Sequence, residues 1–317
     1  MPIDTHAHLN FAAYKDDVSE VAKRALAENV WFINVGSQLP SSRRALEFAQ
    51  KYNEGVFAAV GLHPIHLIKQ EVSAPIDEDE LIEFETDAEK FDYEAYKALA
   101  QNEKVVAIGE TGLDHYHLTN SKKPITNATK LMANNIDAQK ALQKEIFIKH
   151  LELAQELNKP LIIHCREAHK EVIEILKNSY NNSPQPSLNI REGDVSMNVS
   201  APPLNLRGGR GELKGVVHSF SGRWSQAQEY LQMGFYLGFN GIITFARDYD
   251  RVVKEAPLER LLIETDCPYL TPLPFRGKRN EPSYVKYVAQ KIAELRGISY
   301  DEVAEMTTRN ARELFGI

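Results

Sequence analysis

Two histidines stand two positions apart near the start of the chain, His6 and His8 in DTHAHL. Side chains alternate along a strand, so both leave the same face, roughly 6.6 Å apart along the backbone, and both can reach one ion. Further along come His63 in GLHP, Glu110 in AIGETG, His164 in IIHC, His218 in VVHS and Asp266 in LIETDCP. Imidazole and carboxylate together suit Zn, Mn or Fe better than Ca or Mg. Four histidines with one Glu and one Asp exceed what one tetrahedral ion needs. Two ions sharing a bridging carboxylate use the whole set, and Glu110 is the best candidate for the bridge. Each residue alone has an ordinary reading: Asp266 ahead of Cys267-Pro268, for example, could satisfy turn donors. Six such residues in apolar segments would be costly to bury without a shared purpose.

The elements that must position them are short, apolar, β-branched runs alternating with amphipathic stretches. Strands are expected near Met1–His8, Trp31–Gly36, Val56–Leu62, Lys104–Glu110, Pro160–Cys165, Gly215–Ser219, Gly234–Phe239 and Leu261–Asp266. Runs this apolar belong to strands buried on both faces. Helical patterns fill the intervals, and Ser299 with Glu302 marks the start of the last helix. Eight strands, each followed by helix, is the count of a (β/α)8 TIM barrel, an α/β fold. The rival, an open doubly wound sheet, fits less well, because the first turn reads HAHLNF with no G-x-G-x-x-G for a dinucleotide. In a parallel barrel reactive groups sit at the C-terminal ends of strands, which is where these residues fall.

The 317 residues are 43% hydrophobic and 26% charged, enough for one large barrel occupying residues 1–317. Net charge is −7, so the chain is no bulk electrostatic binder of nucleic acid; a local site with metal ions would have to supply the positive charge. No apolar run approaches the roughly 18 residues that span a bilayer, and the first residues lack the pattern of a secretory signal, so a cytoplasmic protein without membrane contact is expected. Cys165 and Cys267 read as buried thiols rather than a disulfide scaffold. Three stretches, 68–90, 118–135 and 179–213, read as long loop insertions, either surface additions or loops that contact substrate.

The ordered set DTHAHL, GLHP, IGETGLD, IHCREA, VHSFSG, LLIETDCPYLTP and RNARELFGI resembles the TatD family of metal-dependent DNases and hydrolases. The likeness runs from first strand to last helix, outside the three insertions; His115 stands where that family often has an aromatic residue. It implies two divalent ions per chain, Zn, Mn or Mg. On that likeness His6, His8 and Asp266 hold one ion, His164 and His218 the other, and Glu110 bridges. It also puts His63 near the substrate phosphate. The expected reaction is hydrolysis of DNA phosphodiesters by a metal-activated water, with Asp266 as proton acceptor and His63 as donor to a phosphoryl oxygen. The expected substrate is single-stranded DNA or frayed ends, cut as by an exonuclease. Glu264 shares a face with Asp266 and could orient a ligand. A basic loop, Arg276, Lys278 and Arg279, could clamp phosphate after the eighth strand. The alternatives are hydrolysis of another ester or amide, such as D-aminoacyl-tRNA, and a non-catalytic metal-binding protein.

Overall fold

The apolar runs do form strands, and in the computed structural model they assemble into a nearly closed eight-stranded parallel barrel. The structure describes residues 1–75, 81–120, 136–181 and 213–317. The barrel strands are β1 Ile3–Ala7, β2 Trp31–Val35, β3 Val56–Val60, β6 Val105–Asp114, β7 Leu161–Arg166, β8 Gly215–Val217, β9 Tyr236–Phe239 and β10 Leu261–Ile263, paired in that order. Between β3 and β6 the chain inserts β4 Gln70–Pro75 and β5 Leu81–Thr86. The seam between β10 and β1 is closed beyond the last strand: Asp266 N–H donates to His6 O at 2.8 Å and His8 N–H to Cys267 O at 2.9 Å. Buried Asp4 reinforces it, accepting from Thr265 N–H at 2.8 Å and Thr265 Oγ1 at 2.6 Å.

Helices α1 Val18–Ala27, α2 Leu39–Ala49, α3 Tyr93–Ala100, α4 Tyr116–Asn120, α5 Ile136–Leu157, α6 His169–Asn181, α7 Trp224–Gln232, α8 Asp250–Glu255, α9 Val285–Arg296 and α10 Tyr300–Phe315 are the other main elements. The expected cap holds: Glu302 N–H donates to Ser299 Oγ at 3.2 Å. Strand residues facing outward, among them Phe32, Val60 and Ile163, join the helices in the main apolar layer. Ile3, Ile33, Ala59, Ile162 and Leu262 form a smaller cluster, and Leu314 and Phe315 of α10 pack on it.

Three expectations need correction. The stretch 68–90 is not a plain loop: β4 and β5 make an antiparallel ribbon, with the acidic 76–80 outside the described residues. The apolar–polar alternation of β5, LIEFET, was hidden by the charge run. The eighth barrel strand stops at Ile263, because Asp266 turns into the left-handed region at φ +56°, so the acid sits on the connection beyond the strand. Glu110 does not end its strand. β6 continues to Asp114, and its pairing with β7 shifts register between Ile108 and Thr111. Such a bulge re-aims the side chain it carries. Gly109 permits it, since a Cβ there would lie 2.7 Å from the Ile162 side chain. Most of 118–135 and of 179–213 lies outside the described residues, with the start of the first in α4 and of the second in α6.

One buried histidine belongs to the scaffold. His150 of α5 donates from Nδ1 to Ile146 O at 2.8 Å and accepts from Leu62 N–H at 3.1 Å, which fixes the start of the GLHP turn. Burial pushes its imidazole down from 6.5 to about 4. Below the ordinary value the unfolded chain therefore binds more protons than the folded one. This contribution is fully present above about 6.5 and is lost as pH falls toward 4, by up to roughly 3 kcal/mol. The melting temperature of His150→Gln should lie below wild type near neutrality and converge on it as pH falls to about 4. A constant gap in thermal melts across that range would show that the imidazole does not titrate with folding.

Candidate active site

The barrel's C-terminal mouth gathers every residue that the sequence singled out as a candidate metal ligand. His6 of β1 and His8 just beyond it bring their Nε2 atoms to 3.0 Å of one another. Asp266 reaches both, with Oδ1 3.5 Å from His8 Nε2 and 3.8 Å from His6 Nε2. Glu110 lies at the centre, and its two oxygens are divided. Oε1 faces His218 Nε2 at 2.7 Å and His164 Nδ1 at 3.0 Å. Oε2 faces His6 Nε2 at 3.5 Å and His8 Nε2 at 3.8 Å. His6 and His218 stack with ring centroids 3.9 Å apart, joining the two halves.

Hydrogen bonds behind the rings decide which nitrogens face inward. A carbonyl or carboxylate only accepts, so the ring nitrogen against it carries the proton. His8 Nδ1 donates to Val35 O at 2.9 Å, leaving Nε2 as a lone pair at the centre. His164 Nε2 donates to Asp114 Oδ2 at 3.0 Å, and its Nδ1 stands 3.0 Å from Glu110 Oε1. His218 Nδ1 faces Glu264 Oε1 at a long 3.5 Å, with Nε2 inward. His63 is the opposite case. Its Nδ1 accepts from Ile65 N–H at 3.1 Å, so the neutral ring holds its proton on Nε2, 3.4 Å from Glu110 Oε1. Burial, then the neighbouring His164, lowers His63 to about 4, so the ring is neutral near pH 7. By distance alone His63, Glu110 and His164 could hold an ion, as could His6, Glu110, His218 and His6, His8, Asp266. The hydrogen bonds set His63 apart: its Nδ1 is taken by Ile65 N–H and its Nε2 carries the proton, whereas Nε2 of His8 is left as a lone pair.

The electrostatics ask for cations. Burial would raise Glu110, but His218, His63 and His6 with the hydrogen bond to His164 outweigh it and hold the carboxyl well below its usual range. Asp266 is likewise held low against burial by His8 and His6. Burial would depress His164 and His218, yet Asp114 and Glu110 raise the first, and Glu110 and Glu264 raise the second. Among the described residues neither central acid pairs with Lys or Arg; their ionic partners are the histidines. Nitrogens bound to one tetrahedral ion at about 2.0–2.1 Å stand about 3.3 Å apart, so donors spaced as these are fit divalent ions without rearrangement. With His8 Nδ1 donating to Val35 O, His8 Nε2 accepts, so the 3.0 Å contact is a hydrogen bond donated by His6 Nε2–H.

The rim is mixed. Arg279 is engaged, donating to Asp17 Oδ1 at 2.9 Å and lying over the Tyr14 ring at 4.5 Å. Arg276 lies over Phe245 at 3.9 Å and keeps a buried Nη1 with no hydrogen-bond partner. Lys278 is exposed, 5.5 Å from the Phe275 ring centroid. Arg166 stacks on Tyr116 at 3.9 Å. Phe11 lies flat on His8 at 4.3 Å, while Phe220 is buried in the core. Both cysteines are buried free thiols, as expected. Sequence reasoning missed Asp4 and Asp114 as supports; both stand inside the quoted motifs, but Thr265 and His164, the groups they support, lie far along the chain.

Comparison with known proteins agrees with this geometry. Residues 3–316 match the family described as TatD related DNase. The chain is 41% identical to the uncharacterized metal-dependent hydrolase YabD of Bacillus subtilis, over 100% of both chains. It is 32% identical to the uncharacterized metal-dependent hydrolase YcfH of Escherichia coli K12, covering 99% of this chain and 96% of that one. Among solved structures, YJJV, a TatD homologue from Escherichia coli K12, superposes with a TM-score of 0.72 at 26% identity, covering 100% of this chain and 98% of that one.

Proposed function

Because this chain belongs to the TatD family of metal-dependent hydrolases, we propose that it is a deoxyribonuclease working from single-stranded or frayed DNA ends with two divalent ions. The observation that carries the proposal is the division of Glu110, one oxygen toward His164 and His218 and the other toward His6 and His8. In this reading His6, His8 and Asp266 hold one ion, His164 and His218 the other, and Glu110 bridges. Zn, Mn or Mg would polarise the phosphoryl group and lower the pKa of water at the site. Asp266 is the more open of the two central acids, its side chain 16% exposed against 5% for Glu110, and it accepts the proton of the attacking water. That proton passes to the leaving sugar oxygen as the P–O bond breaks. His63 donates from Nε2 to a non-bridging phosphoryl oxygen. In this reading the 317 residues form one barrel that works in the cytoplasm. Among the described residues no helix is long and apolar enough to cross a membrane.

The test is an assay of the metal-loaded chain on end-labelled oligonucleotides. Stepwise shortening of single strands, faster than of blunt duplex, is expected. Inertness toward DNA with deacylation of D-aminoacyl-tRNA would replace the substrate while keeping the hydrolase; metal binding without any turnover would leave a binding protein. The rim gives a separate expectation. Arg276→Ala and Lys278→Ala should each weaken single-strand binding and lower the log–log salt slope by about 0.7 for each phosphate the variant no longer neutralises. Arg279→Ala should act chiefly by breaking the ion pair with Asp17, so its effect is expected in thermal melts. Unchanged affinity and slope in the first two variants would place phosphate recognition elsewhere.

A further inference from the structure

The four inward-facing imidazoles are not supported alike. His8 is backed by a neutral carbonyl, Val35 O, and His6 Nδ1 is buried with no partner. His164 Nε2 donates to buried Asp114, while His218 Nδ1 makes no hydrogen bond but faces buried Glu264 at 3.5 Å. From this asymmetry, and resting on the two-ion reading, we infer that Asp114 is a positioning residue for the ion of His164 and His218 alone, with Glu264 as its weaker counterpart.

Asp114 is held so that it can do little else. Oδ1 accepts from His117 N–H at 2.9 Å, and Oδ2 takes His117 Nδ1 at 2.6 Å beside His164 Nε2. Gln143 of α5 pins its backbone from both sides, accepting from Asp114 N–H at 2.9 Å and donating to Asp114 O at 3.1 Å. Glu264 accepts from Ser219 N–H at 2.6 Å, and its Oε2 is buried without a partner. It fits because residue 238 is glycine: a Cβ there would lie 2.4 Å from Glu264 Oε2.

A carboxylate behind an imidazole fixes its tautomer and makes the front nitrogen a better donor; removing it costs about 10- to 100-fold in metal affinity. The backing falls where direct charge is scarce. His6 and His8 share Asp266 as well as Glu110, whereas His164 and His218 have only the shared Glu110. Asn at 114 turns an N–H toward His164 or leaves a weaker acceptor, so the ring loses its preference for an inward lone pair.

The experiment is equilibrium dialysis of the full chain against buffered Zn or Mn, with bound metal counted by elemental analysis and folding checked by circular dichroism. Wild type should take up two ions. Asp114→Asn should keep one ion at wild-type affinity and bind the other about 10- to 100-fold more weakly. Glu264→Gln should weaken the same step by less, given its 3.5 Å contact. If Asp114→Asn does not fold, His117→Ala, which loosens Asp114 from behind, should shift that step by a smaller factor. Two unchanged steps, or two steps weakened equally, would overturn the inference. Uptake of at most one ion by wild type would instead overturn the two-ion reading.

Discussion

Replacing Asp266 with Asn is expected to lower turnover by about 10²- to 10⁴-fold while the protein stays folded, the range associated with a general base. The substitution is close to isosteric, and it also respects the backbone. Asp266 sits at φ +56°, a region that Asn tolerates as well as Asp. The hydrogen bond from its N–H to His6 O, which helps close the barrel seam, is untouched. What changes is the charge next to His6 and His8 and the capacity to take a proton. Rates on an end-labelled single strand, with melting temperatures of both proteins, check the expectation. Melting within a few degrees of wild type with turnover abolished assigns the acid to the reaction; turnover within tenfold of wild type would remove Asp266 from the proton path.

Much of this site was legible because ligands in a parallel barrel come one strand at a time. DTHAHL, GLHP, IIHC and VVHS each carry their own evidence of strand and side-chain chemistry within a few residues. Long-range partners were not legible in this way. Asp4 supports Thr265, and Arg279 pairs with Asp17, contacts between opposite ends of the chain that exist only because the barrel closes. An isolated basic loop therefore looked like three free cations, when one of them is tied to the β1–α1 connection. Glu110 was read as the end of its strand, whereas β6 runs on to Asp114. Gly109 and Gly112 on either side of Glu110 were the available signal, since paired glycines within a strand mark a bulge or a close backbone approach. The division of its two oxygens depends on that bulge and could not be read from residue types.

Glu110→Gln should have an effect as large, and for a different reason. Each oxygen of Glu110 faces one imidazole pair, so a neutral amide must turn an NH₂ toward either His164 and His218 or His6 and His8. One ion then meets a donor where it had an anion, and the other keeps an acceptor without charge. Breaking a buried charge pair by removing one partner costs about 3–5 kcal/mol, or roughly 10²- to 10³-fold and more in binding. The variant is expected to retain at most one ion under conditions that load two on wild type, and to show no detectable turnover. Calorimetry gives an independent readout. Each ion at about 100 times its dissociation constant stabilises the folded state by roughly 2.7 kcal/mol, so the rise in melting temperature on adding metal to chelator-treated protein should be about halved or abolished. The contrast with Asp266→Asn is diagnostic, because the two-ion reading gives Glu110 to both ions and Asp266 to one. Two ions bound by Glu110→Gln with wild-type affinity would show that no bridge passes through this residue.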